Sequence, residues 1–439
     1  MTISTQPYKG ARDFYPEDKR LQKWLFNKWR QVCEIYGYEE YDAPILEPTD
    51  LFLIKGNEEI IAEQTYTFED RGGRSVTVRT EMTPSVSRMV AGKRQELVYP
   101  LRWYSVPNLW RYERTQRGRL REFWQLNADI FGIDSVDADA EIIMLSDSIM
   151  KSFGAKRRTY EIKISSRKLI DYVLLEYFQF DEVEAVTIRR LIDRMHKMPK
   201  GEFVTSLEAV ISPSQRESGI ADSLVAYLTV TEFSELPTEI ASHETARELM
   251  HLMARLEKNG ISNLKFDPTL MRGFDYYTGI VFEVFDTDPN NNRSMFGGGR
   301  YDGLVAQFGA DPVSTVGFGM GDVTLLNFLE THGLVPKLKS ETELYVAVME
   351  GLNEKTDTII KDLREMGVKL AVDYSGRKLD KQIKIAVKKG INYLIVLGQK
   401  EIESGHFSVK NLETGEENAH SLQRIVSIIK DYRHTGVTE

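Results

Sequence analysis

The sequence predicts an α+β protein in which a mainly antiparallel sheet with flanking helices is followed by a smaller α/β domain. Two observations predict this fold class. Strand patterns with short connections fill residues 74–131 and 278–321, which is typical of an antiparallel sheet. After Pro336, strand and helix patterns alternate, which is typical of an α/β domain.

The composition is that of an ordinary globular protein. Hydrophobic residues make up 41% and charged residues 28% of the 439 positions, which disfavours both a disordered chain and a membrane protein. No apolar run has the length of a bilayer span, and the polar N-terminus lacks the apolar centre of a signal peptide. We therefore expect a cytoplasmic protein without a membrane partner.

Cysteine and histidine usage predicts no structural metal. Cys33 is the only cysteine and the seven histidines are scattered, so an internal disulfide is impossible and a zinc site of the usual kind is disfavoured. The net charge of −9 does not exclude a nucleic-acid partner, because such binding depends on local basic patches.

The first elements are a helix and an extended segment. Apolar residues recur at helical spacing between residues 17 and 37, which predicts an amphipathic helix. Pro44 and Pro48 favour extended chain in the segment YEEYDAPILEPTDLF. Alternation in SVTVR then predicts a strand, and a long antiparallel hairpin follows, made by LRWYSVPNLWRYE and REFWQLNADIFG around an arginine-rich loop.

The second arm of this hairpin has two different faces, because side chains alternate across a strand. One face is apolar and consists of Trp124, Leu126, Ala128 and Ile130. The other face consists of Phe123, Gln125, Asn127 and Asp129. We interpret the second face as the floor of a ligand site; the alternative is a strand with one solvated face.

The next segments complete the first domain. Residues 136–260 are mostly helical in pattern, interrupted by SPSQRESG. Strands return with TGIVFEVFD, and we interpret the glycine-rich FGGGRYDGL as a loop that allows close backbone approach. TVGFGMGDVTLLNFLETHG predicts a strand that turns into a helix.

The polar stretch KLKSETE predicts the main boundary, which gives domains at 1–335 and 341–435. Beyond it, the predicted strands are LYVAVME, VKLAVDY, INYLIVLG and HFSVKNL, with helices between them, one of them near 377–389, and a last helix to about Arg433. This order predicts parallel strands joined by right-handed crossovers.

Two stretches carry groups suited to an anionic ligand. The hairpin loop holds Arg111, Arg114, Arg117, Arg119 and Arg121. Guanidinium groups pair bidentately with phosphate, so the loop suits a polyphosphate or a nucleic-acid end; a solvated hairpin tip is the alternative.

The second stretch, MRGFDYYTG, places Arg272 beside Asp275, Tyr276 and Tyr277. These groups suit a carboxylate, a phosphate and an imidazole, and a polar strand entry with core tyrosines is the alternative. The chain has neither a GxxxxGK[ST] loop nor a GxGxxG fingerprint, so any ATP would be held in another way.

Four motifs together resemble one family. VRTEMTPSVSRM, WRYERTQRGRLREFWQLNADIFG, MRGFDYYTG and GGGRYDGL occur in the order and spacing of histidyl-tRNA synthetases, which are class IIa aminoacyl-tRNA synthetases. The likeness runs from KGARDFYPED to the last helix. It implies a class II catalytic domain, a C-terminal anticodon-binding domain, and ATP-dependent charging of tRNA(His) with L-histidine.

The resemblance also implies roles in ATP and tRNA binding. Arg111 corresponds to the arginine on the ATP α-phosphate, and Arg119 and Arg121 to loop arginines that approach ATP. Arg272 corresponds to the arginine that bridges the histidine carboxylate and the α-phosphate, so Arg111 and Arg272 are the expected catalytic residues. Gln116 lies where the family's loop meets the tRNA acceptor end. Magnesium is implied only as the partner of ATP.

The expected histidine-binding residues form two groups. One group receives the α-amino end, and the other recognises the imidazole with an acceptor and hydroxyls. The first comprises Glu81, Met82, Thr83 and Gln125; the second comprises Asp129, Tyr276 and Tyr277.

Further implied contacts lie outside the cavity region. The resemblance places the tRNA acceptor stem against a helical insertion at about 165–260 and a homodimer interface at Pro44. A basic stripe at i, i+4, i+7 and i+11 of a helix is expected to contact tRNA phosphates, with a solvated helix face as the alternative. Its members are Arg377, Lys381, Lys384 and Lys388.

The chain departs from the family pattern at two places. Val323 and Thr324 stand where the third class II motif usually has Glu-Arg, whose arginine contacts the ATP γ-phosphate, and Asn127 stands where glycine is frequent. One alternative is a catalytically silent paralogue that acts as a regulatory subunit of ATP phosphoribosyltransferase. Such subunits usually lack the anticodon domain, so the sequence favours the enzyme. A synthetase for another amino acid is disfavoured by RGFDYY.

Overall fold

The computed structural model describes residues 3–53, 64–199, 201–271, 276–291 and 293–435. The chain divides into two compact units. The first comprises residues 1–14 and 22–335, and the second comprises residues 336–439 with the short segment 15–21. Each unit has its own sheet and its own hydrophobic core.

The first unit is built on two sheets. Its strands are β1 (Glu39–Glu40), β2 (Leu46–Pro48), β3 (Thr67–Glu69), β4 (Ser75–Val78), β5 (Leu101–Ser105), β6 (Asn108–Trp110), β7 (Glu122–Phe131), β8 (Tyr160–Ser166), β9 (Leu264–Phe266), β10 (Ile280–Asp286), β11 (Ser294–Arg300) and β12 (Thr315–Gly321). The larger sheet has the order β1-β5-β7-β12-β11-β10-β8-β9, with β6 also paired to β7. Its pairs are antiparallel except β1 with β5 and β8 with β9. Strands β2, β4 and β3 form a small antiparallel sheet.

Helices cover this unit and contribute to its core. They are α1 (Pro16–Ile35), α2 (Thr83–Gly92), α3 (Val136–Ser152), α4 (Arg167–Asp171), α5 (Glu182–Arg194), α6 (Glu202–Val210), α7 (Pro213–Glu217), α8 (Ile220–Leu228), α9 (Thr238–Ser242), α10 (Glu244–Lys258) and α11 (Asp322–Thr331). A π-helical segment, Tyr172–Tyr177, continues α4. One cluster of buried side chains joins Trp29 of α1, Ile142 of α3 and Phe282 of β10. The sheet is therefore held by apolar contacts with its helices.

The hairpin prediction is confirmed. β5 pairs with β7 from Leu101–Phe131 to Ser105–Asn127, and β6 pairs with the earlier part of β7. Leu126, Ala128 and Ile130 belong to the buried cluster and Trp124 packs against it. The alternate side chains of β7 therefore point away from this core.

Residues 136–260 are mostly helical, as expected, but they include one strand, because Tyr160–Ser166 forms β8 between β10 and β9. Another expectation for the first unit is wrong. The glycines of FGGGRYDGL are not in a loop, because Gly297–Gly299 lie inside β11. A Cβ on Gly298 would lie 1.9 Å from the carbonyl oxygen of Gly317, so these glycines permit close strand contact rather than a turn.

The second unit has one five-stranded sheet. Its strands are β13 (Leu344–Val348), β14 (Leu370–Asp373), β15 (Tyr393–Leu397), β16 (Phe407–Asn411) and β17 (Glu417–His420), and its helices are α12 (Asn353–Glu365), α13 (Leu379–Lys388), α14 (Gln399–Ser404) and α15 (Leu422–Thr435). The order is β14-β13-β15-β16-β17; β13 runs parallel to β14 and β15, and the other pairs are antiparallel. The predicted alternation is confirmed, and β17 and α14 are additional elements.

The predicted basic stripe is wrong at one residue. Helix α13 begins at Leu379, so Arg377 precedes the helix, and its carbonyl oxygen accepts a hydrogen bond of 2.7 Å from Gln382 Nε2. The three lysines of the stripe do lie exposed on α13, whereas Gln382 and Ala386 are buried. These lysines are Lys381, Lys384 and Lys388.

The α+β fold class is confirmed for the described residues, since a mixed, mainly antiparallel sheet with flanking helices precedes a unit of alternating strands and helices. Among those residues, no helix combines the length and the apolar character that crossing a membrane requires.

We expect loss of one partner of the buried ion pair between Arg300 and Asp139 to destabilise the first unit. The Nη2–Oδ2 distance is 2.5 Å, and the two side chains are 5% and 2% exposed. Asp139→Asn should lower the free energy of unfolding by about 3 kcal/mol, because it leaves a buried cation with only the longer 3.4 Å pair to Asp302, whose side chain is 31% exposed. Urea unfolding followed by tryptophan fluorescence measures this, since all five tryptophans lie in the first unit.

The matched control is Asp137→Asn on the same helix. Asp137 pairs with Arg255, but its side chain is 57% exposed, so the loss should stay within about 1 kcal/mol. Equal losses in the two variants would contradict the prediction.

Candidate active site

A cavity of about 100 Å³ lies against the polar face of β7. Its lining comes from β7, β11 and β12 and from four other places in the chain. The lining residues are Glu81, Thr83, Arg111, Gln125, Asn127, Asp129, Tyr276, Tyr277, Gly297, Tyr301, Gly317, Phe318 and Gly319. The strand face that the sequence assigns to a ligand therefore does border a cavity.

Glycines of β12 make room for the polar side chains of β7. Gly317 is the register partner of Asp129, and a Cβ on Gly317 would lie 1.9 Å from Asp129 Oδ1. A Cβ on Gly319 would lie 2.8 Å from the side-chain Cδ of Gln125. Any larger residue at either position would displace a polar group, so the glycines are part of the cavity floor.

Asp129 is a buried carboxyl group at one end of the cavity. The hydroxyl of Tyr301 donates a hydrogen bond of 2.5 Å to Asp129 Oδ1. Burial raises the pKa of Asp129 to about 7, and the hydrogen bond from Tyr301 opposes this rise. The ring of Tyr276 lies 5.7 Å from that of Tyr301 and 4.9 Å from that of Tyr277. Asp129 is thus a hydrogen-bond acceptor whose pKa is close to neutral pH, and it lies near the rings of three tyrosines.

Glu81 and Arg111 bring opposite charges to the same cavity. Tyr276 donates a hydrogen bond of 3.2 Å from its hydroxyl to Glu81 Oε2. Burial raises the pKa of Glu81, while Arg111 and the bond from Tyr276 lower it. Arg111 donates from Nε to the carbonyl oxygen of Thr80 at 3.0 Å, and its guanidinium lies 5.4 Å from the ring centre of Phe123. The cavity can therefore receive both an ammonium and an anionic group.

Six of the predicted histidine-binding residues line this cavity. They are Glu81, Thr83, Gln125, Asp129, Tyr276 and Tyr277, and they are joined by the predicted catalytic Arg111. Met82 is fully buried at the start of α2 and does not line it. Arg272, predicted for both catalysis and histidine binding, lies outside the described residues.

The predicted loop residues lie beside the cavity rather than in its wall. Arg119 is 55% exposed and pairs with Glu113 at 3.0 Å. Arg121 stacks on the ring of Tyr112, with 3.9 Å between the guanidinium carbon and the ring centre. Gln116 Oε1 accepts a hydrogen bond of 3.1 Å from Arg293. The remaining predicted tRNA residues, Arg377, Lys381, Lys384 and Lys388, belong to the second unit.

Sequence analysis did not assign Tyr301 and Phe318 to the site. Tyr301 follows the glycines of β11, and Phe318 lies between Gly317 and Gly319. A signal was present, because GGGRYDGL was recognised as a family motif. However, the hydrogen bond from Tyr301 to Asp129 depends on the order of the strands in the sheet, which the motif alone does not indicate. Asn127, recognised as a departure, also lines the cavity and donates to the backbone carbonyl of Gln125 at 3.1 Å.

The side chain of Thr324, in the third motif, forms hydrogen bonds to the backbone. Its hydroxyl donates to the carbonyl oxygens of Met295 at 2.7 Å and Gly321 at 3.3 Å. A Cβ on Gly118, at the tip of the arginine hairpin, would lie 3.4 Å from Thr324 Cγ2. The hairpin tip therefore packs closely over the start of α11.

No cluster of three or more histidine, cysteine, aspartate or glutamate side chains suited to a metal occurs in the described part of the chain.

Two family models match the chain. The histidyl-tRNA synthetase model matches residues 10–323, and the model of the anticodon binding domain matches residues 343–432. A histidine–tRNA ligase from Leptospira biflexa is 39% identical over 431 residues, covering 98% of each chain. The enzyme from Thermoplasma volcanium is 36% identical over 96% of this chain and 97% of its own. The chloroplastic/mitochondrial enzyme of Arabidopsis thaliana is 37% identical over 94% of this chain and 85% of its own.

Solved structures share the fold. A histidyl-tRNA synthetase from a Nostoc species has a TM-score of 0.80 at 22% identity, covering 98% of this chain and all of its own. The apo enzyme of S. aureus has a TM-score of 0.72 at 26% identity, covering 97% of this chain and 100% of its own. A Bacillus halodurans protein described as an ATP phosphoribosyltransferase regulatory subunit/histidyl-tRNA synthetase has a TM-score of 0.73 at 23% identity, covering 90% and 99%.

The family model for the first unit spans far more than half of the 439 residues, and relatives above 30% identity extend over nearly the whole chain. The chain therefore belongs to the histidyl-tRNA synthetase family.

Proposed function

We propose that this chain is a histidine–tRNA ligase. It activates L-histidine with ATP to give histidyl-adenylate and pyrophosphate, and then transfers histidine to the 3′ end of tRNA(His). The cavity carries this proposal, because it combines an acceptor for imidazole at Asp129 with Glu81 and Arg111 for the charged groups of an amino acid. The named relatives support the same activity.

In this proposal the amino acid lies along the polar face of β7. Glu81, Thr83 and Gln125 receive the α-ammonium, because a carboxylate with neutral acceptors suits a cation. Asp129 and Tyr277 bind the two imidazole nitrogens, with Tyr276 alongside. Tyr301 holds Asp129 in place through the 2.5 Å hydrogen bond. A side chain without ring nitrogens would leave these buried groups unpaired. Met82, buried between Glu81 and Thr83, anchors their backbone.

Arginines supply the charge for activation. A carboxylate oxygen of histidine attacks the α-phosphorus of ATP; a C–O–P linkage forms and pyrophosphate leaves. Arg111 and Arg272 act as the catalytic residues by stabilising the negative charge of this transition state. Arg119 and Arg121 bind the remaining phosphates, and ATP enters as its Mg²⁺ complex. The terminal hydroxyl of tRNA then attacks the carbonyl carbon of the adenylate, and AMP leaves.

The tRNA contacts extend over the two domains that we propose, 1–335 for catalysis and 341–435 for anticodon binding. Gln116 meets the acceptor end, and the helices within 165–260 embrace the acceptor stem. The basic surface of the second domain contacts phosphates of the anticodon arm through Arg377, Lys381, Lys384 and Lys388. The three lysines are exposed on one helix, as phosphate contact requires. The site of action is the cytoplasm.

We propose a homodimer that covers an apolar surface of the small sheet. Ile45, Leu46 and Phe68 are 55%, 46% and 48% exposed, and the last two lie on β2 and β3, which both pair with β4. Several exposed apolar side chains of this size in one small sheet are typical of an interface. The alternative function, a regulatory subunit of ATP phosphoribosyltransferase, gains no support from the second unit, which matches the anticodon-binding model.

ATP–pyrophosphate exchange measured with each amino acid tests the activity. Exchange should occur with histidine alone, and Arg272→Ala should lower kcat/KM by about 100-fold or more, because one charge that stabilises the transition state is lost. The melting temperature of the variant serves as the control for folding. Absence of exchange in the unmodified protein, together with binding to a phosphoribosyltransferase, would establish the regulatory alternative.

The pH dependence of kcat/KM for histidine tests the role of Asp129. With its pKa raised to about 7, Asp129 accepts a hydrogen bond from imidazole as the carboxylate, so kcat/KM should fall as pH drops through 7. Tyr301→Phe removes a hydrogen bond that stabilises the carboxylate, so the fall of kcat/KM should begin at a higher pH. Asp129→Asn should abolish the fall caused by this carboxyl group and leave only the titration of the substrate imidazole, with a pKa of about 6.5.

The control for the lost hydroxyl is Tyr227→Phe, a buried tyrosine of α8 far along the chain from the cavity residues. It should leave the pH profile unchanged. An identical profile for Tyr301→Phe and the unmodified protein would remove Tyr301 from this role.

Phe68→Lys tests the dimer. A buried charge in the interface should weaken association by about tenfold or more, measured as the dissociation constant in analytical ultracentrifugation. Val183→Lys on α5, where the valine is 76% exposed, should leave the constant unchanged. A Phe68→Lys protein that dimerises as tightly as the unmodified protein would rule out this surface.

A further inference from the structure

The N-terminal segment Tyr8–Phe14 lies along the returning arm of the arginine hairpin. The carbonyl oxygen of Gly10 accepts hydrogen bonds from the backbone amides of Arg121 at 3.0 Å and Glu122 at 3.1 Å. The amide of Arg12 donates to Glu122 Oε2 at 3.4 Å. Residues 8–11 form a turn, closed by a hydrogen bond of 2.8 Å from the amide of Ala11 to the carbonyl oxygen of Tyr8. Tyr8, Gly10 and Arg12 each contact the hairpin or its base.

Tyr8 contacts the side chain of Arg121 directly. Arg121 donates from Nη1 to the hydroxyl of Tyr8 at 3.0 Å, and its guanidinium carbon lies 5.7 Å from the ring centre of Tyr8. A second and closer aromatic contact comes from Tyr112, whose ring centre is 3.9 Å from that carbon. Tyr8 is itself held edge-on by Tyr66, with 6.2 Å between ring centres. Arg121 also donates from Nε to the carbonyl oxygen of Glu113 at 3.3 Å, so two hydrogen bonds and two aromatic rings contact this side chain.

Gly10 is needed for this close contact. Its φ is +86°, a left-handed conformation that favours glycine. A Cβ at this position would lie 2.8 Å from Cγ of Arg121 and 2.9 Å from Cγ2 of Thr115. Both residues belong to the hairpin, so any larger side chain at position 10 would push the segment away from it.

Arg12 fixes the other end of the segment. Its Nη2 donates to Asp322 Oδ2 at 2.7 Å, and Asp322 Oδ1 accepts the amide of Trp124 at 3.0 Å. The guanidinium carbon lies 5.0 Å from the ring centre of Phe14 and 5.7 Å from that of Trp124. The buried Asp322 thus joins the segment, the hairpin arm and the start of α11.

We propose that Tyr8 and Gly10 are positioning residues that hold Arg121 in the orientation in which it receives the phosphates of ATP. A free arginine side chain loses considerable rotamer entropy when it binds a ligand, and a side chain fixed in advance does not. The same contacts also restrain the other arm of the hairpin, because the amide of Arg111 donates a hydrogen bond of 2.9 Å to the carbonyl oxygen of Arg121. This inference rests on the proposed function, since that function assigns both arginines to ATP.

The first test separates the hydrogen bond from the aromatic contact. In ATP–pyrophosphate exchange, Tyr8→Phe should raise KM for ATP about threefold and Tyr8→Ala about tenfold, while kcat and KM for histidine stay within about twofold. Tyr15→Ala is the control, because Tyr15 is 69% exposed and directly follows the segment. An unchanged or lower KM for ATP in Tyr8→Ala would overturn the inference.

The second test does not depend on activity. Hydrogen exchange of the amides of Arg121 and Glu122, measured without substrates, should be slow in the unmodified protein and at least about tenfold faster in Gly10→Ala, because these amides donate to Gly10. Equal exchange in the two proteins would also overturn the inference. If the unmodified protein shows no histidine-dependent pyrophosphate exchange, the proposed function fails and the role in ATP binding fails with it. If that activity is present and Tyr8→Ala is unchanged, only the inference fails.

Discussion

The pairing of β7 with β12 is the constraint on which the site depends. In this register the polar residues Gln125 and Asp129 extend over glycines of the neighbouring strand, and a Cβ on Gly317 would occupy the place of a carboxylate oxygen. A slip by one residue would exchange the two faces of β7 and move its apolar side chains from the core to the cavity. Packing of Leu126 and Ile130 in the core and exposure of the polar face to ligand are therefore two results of one pairing.

Burial gives the cavity its chemical character. The buried carboxylate of Asp129 lacks the hydration that stabilises the charge in water, and this raises its pKa to about 7 even though Tyr301 donates a hydrogen bond to it. Glu81 experiences the same desolvation but faces the positive charge of Arg111. The two carboxyl groups thus differ through their neighbours, which suits one to a ring nitrogen and the other to an ammonium. In the proposed function, this difference between the two carboxyl groups of one cavity orients the amino acid before any reaction occurs.

The sequence was sufficient for features that depend on periodicity and insufficient for those that depend on long-range pairing. Alternation along the hairpin arm predicted that Gln125 and Asp129 share a face, because the period of a strand is a local property. The glycines of β11 were misinterpreted, because only the approach of β10 and β12 explains why Gly297–Gly299 lack side chains. For the same reason Tyr301 was not assigned to Asp129, 172 positions away. Arg377 was placed on a helix that begins two residues later, a boundary error that local propensity does not resolve.

The arginine hairpin contacts the N-terminal segment on one side and α11 at its tip. The contact at the tip involves Thr324, the residue that departs from the third family motif. On one side the N-terminal segment bonds to the returning arm through Gly10. At the tip, Gly118 approaches Thr324, and Arg117 donates to Asn291 Oδ1 at 3.1 Å and to Thr331 Oγ1 at 3.4 Å. An arginine in place of Thr324 would need the space that the hairpin tip occupies. The short side chain at position 324 therefore permits the close approach of Gly118. Arg117 thus contacts the end of α11 at Thr331, and Arg12 pairs with Asp322 at its start. The departure from the family pattern at position 324 is therefore matched by the way the hairpin is held.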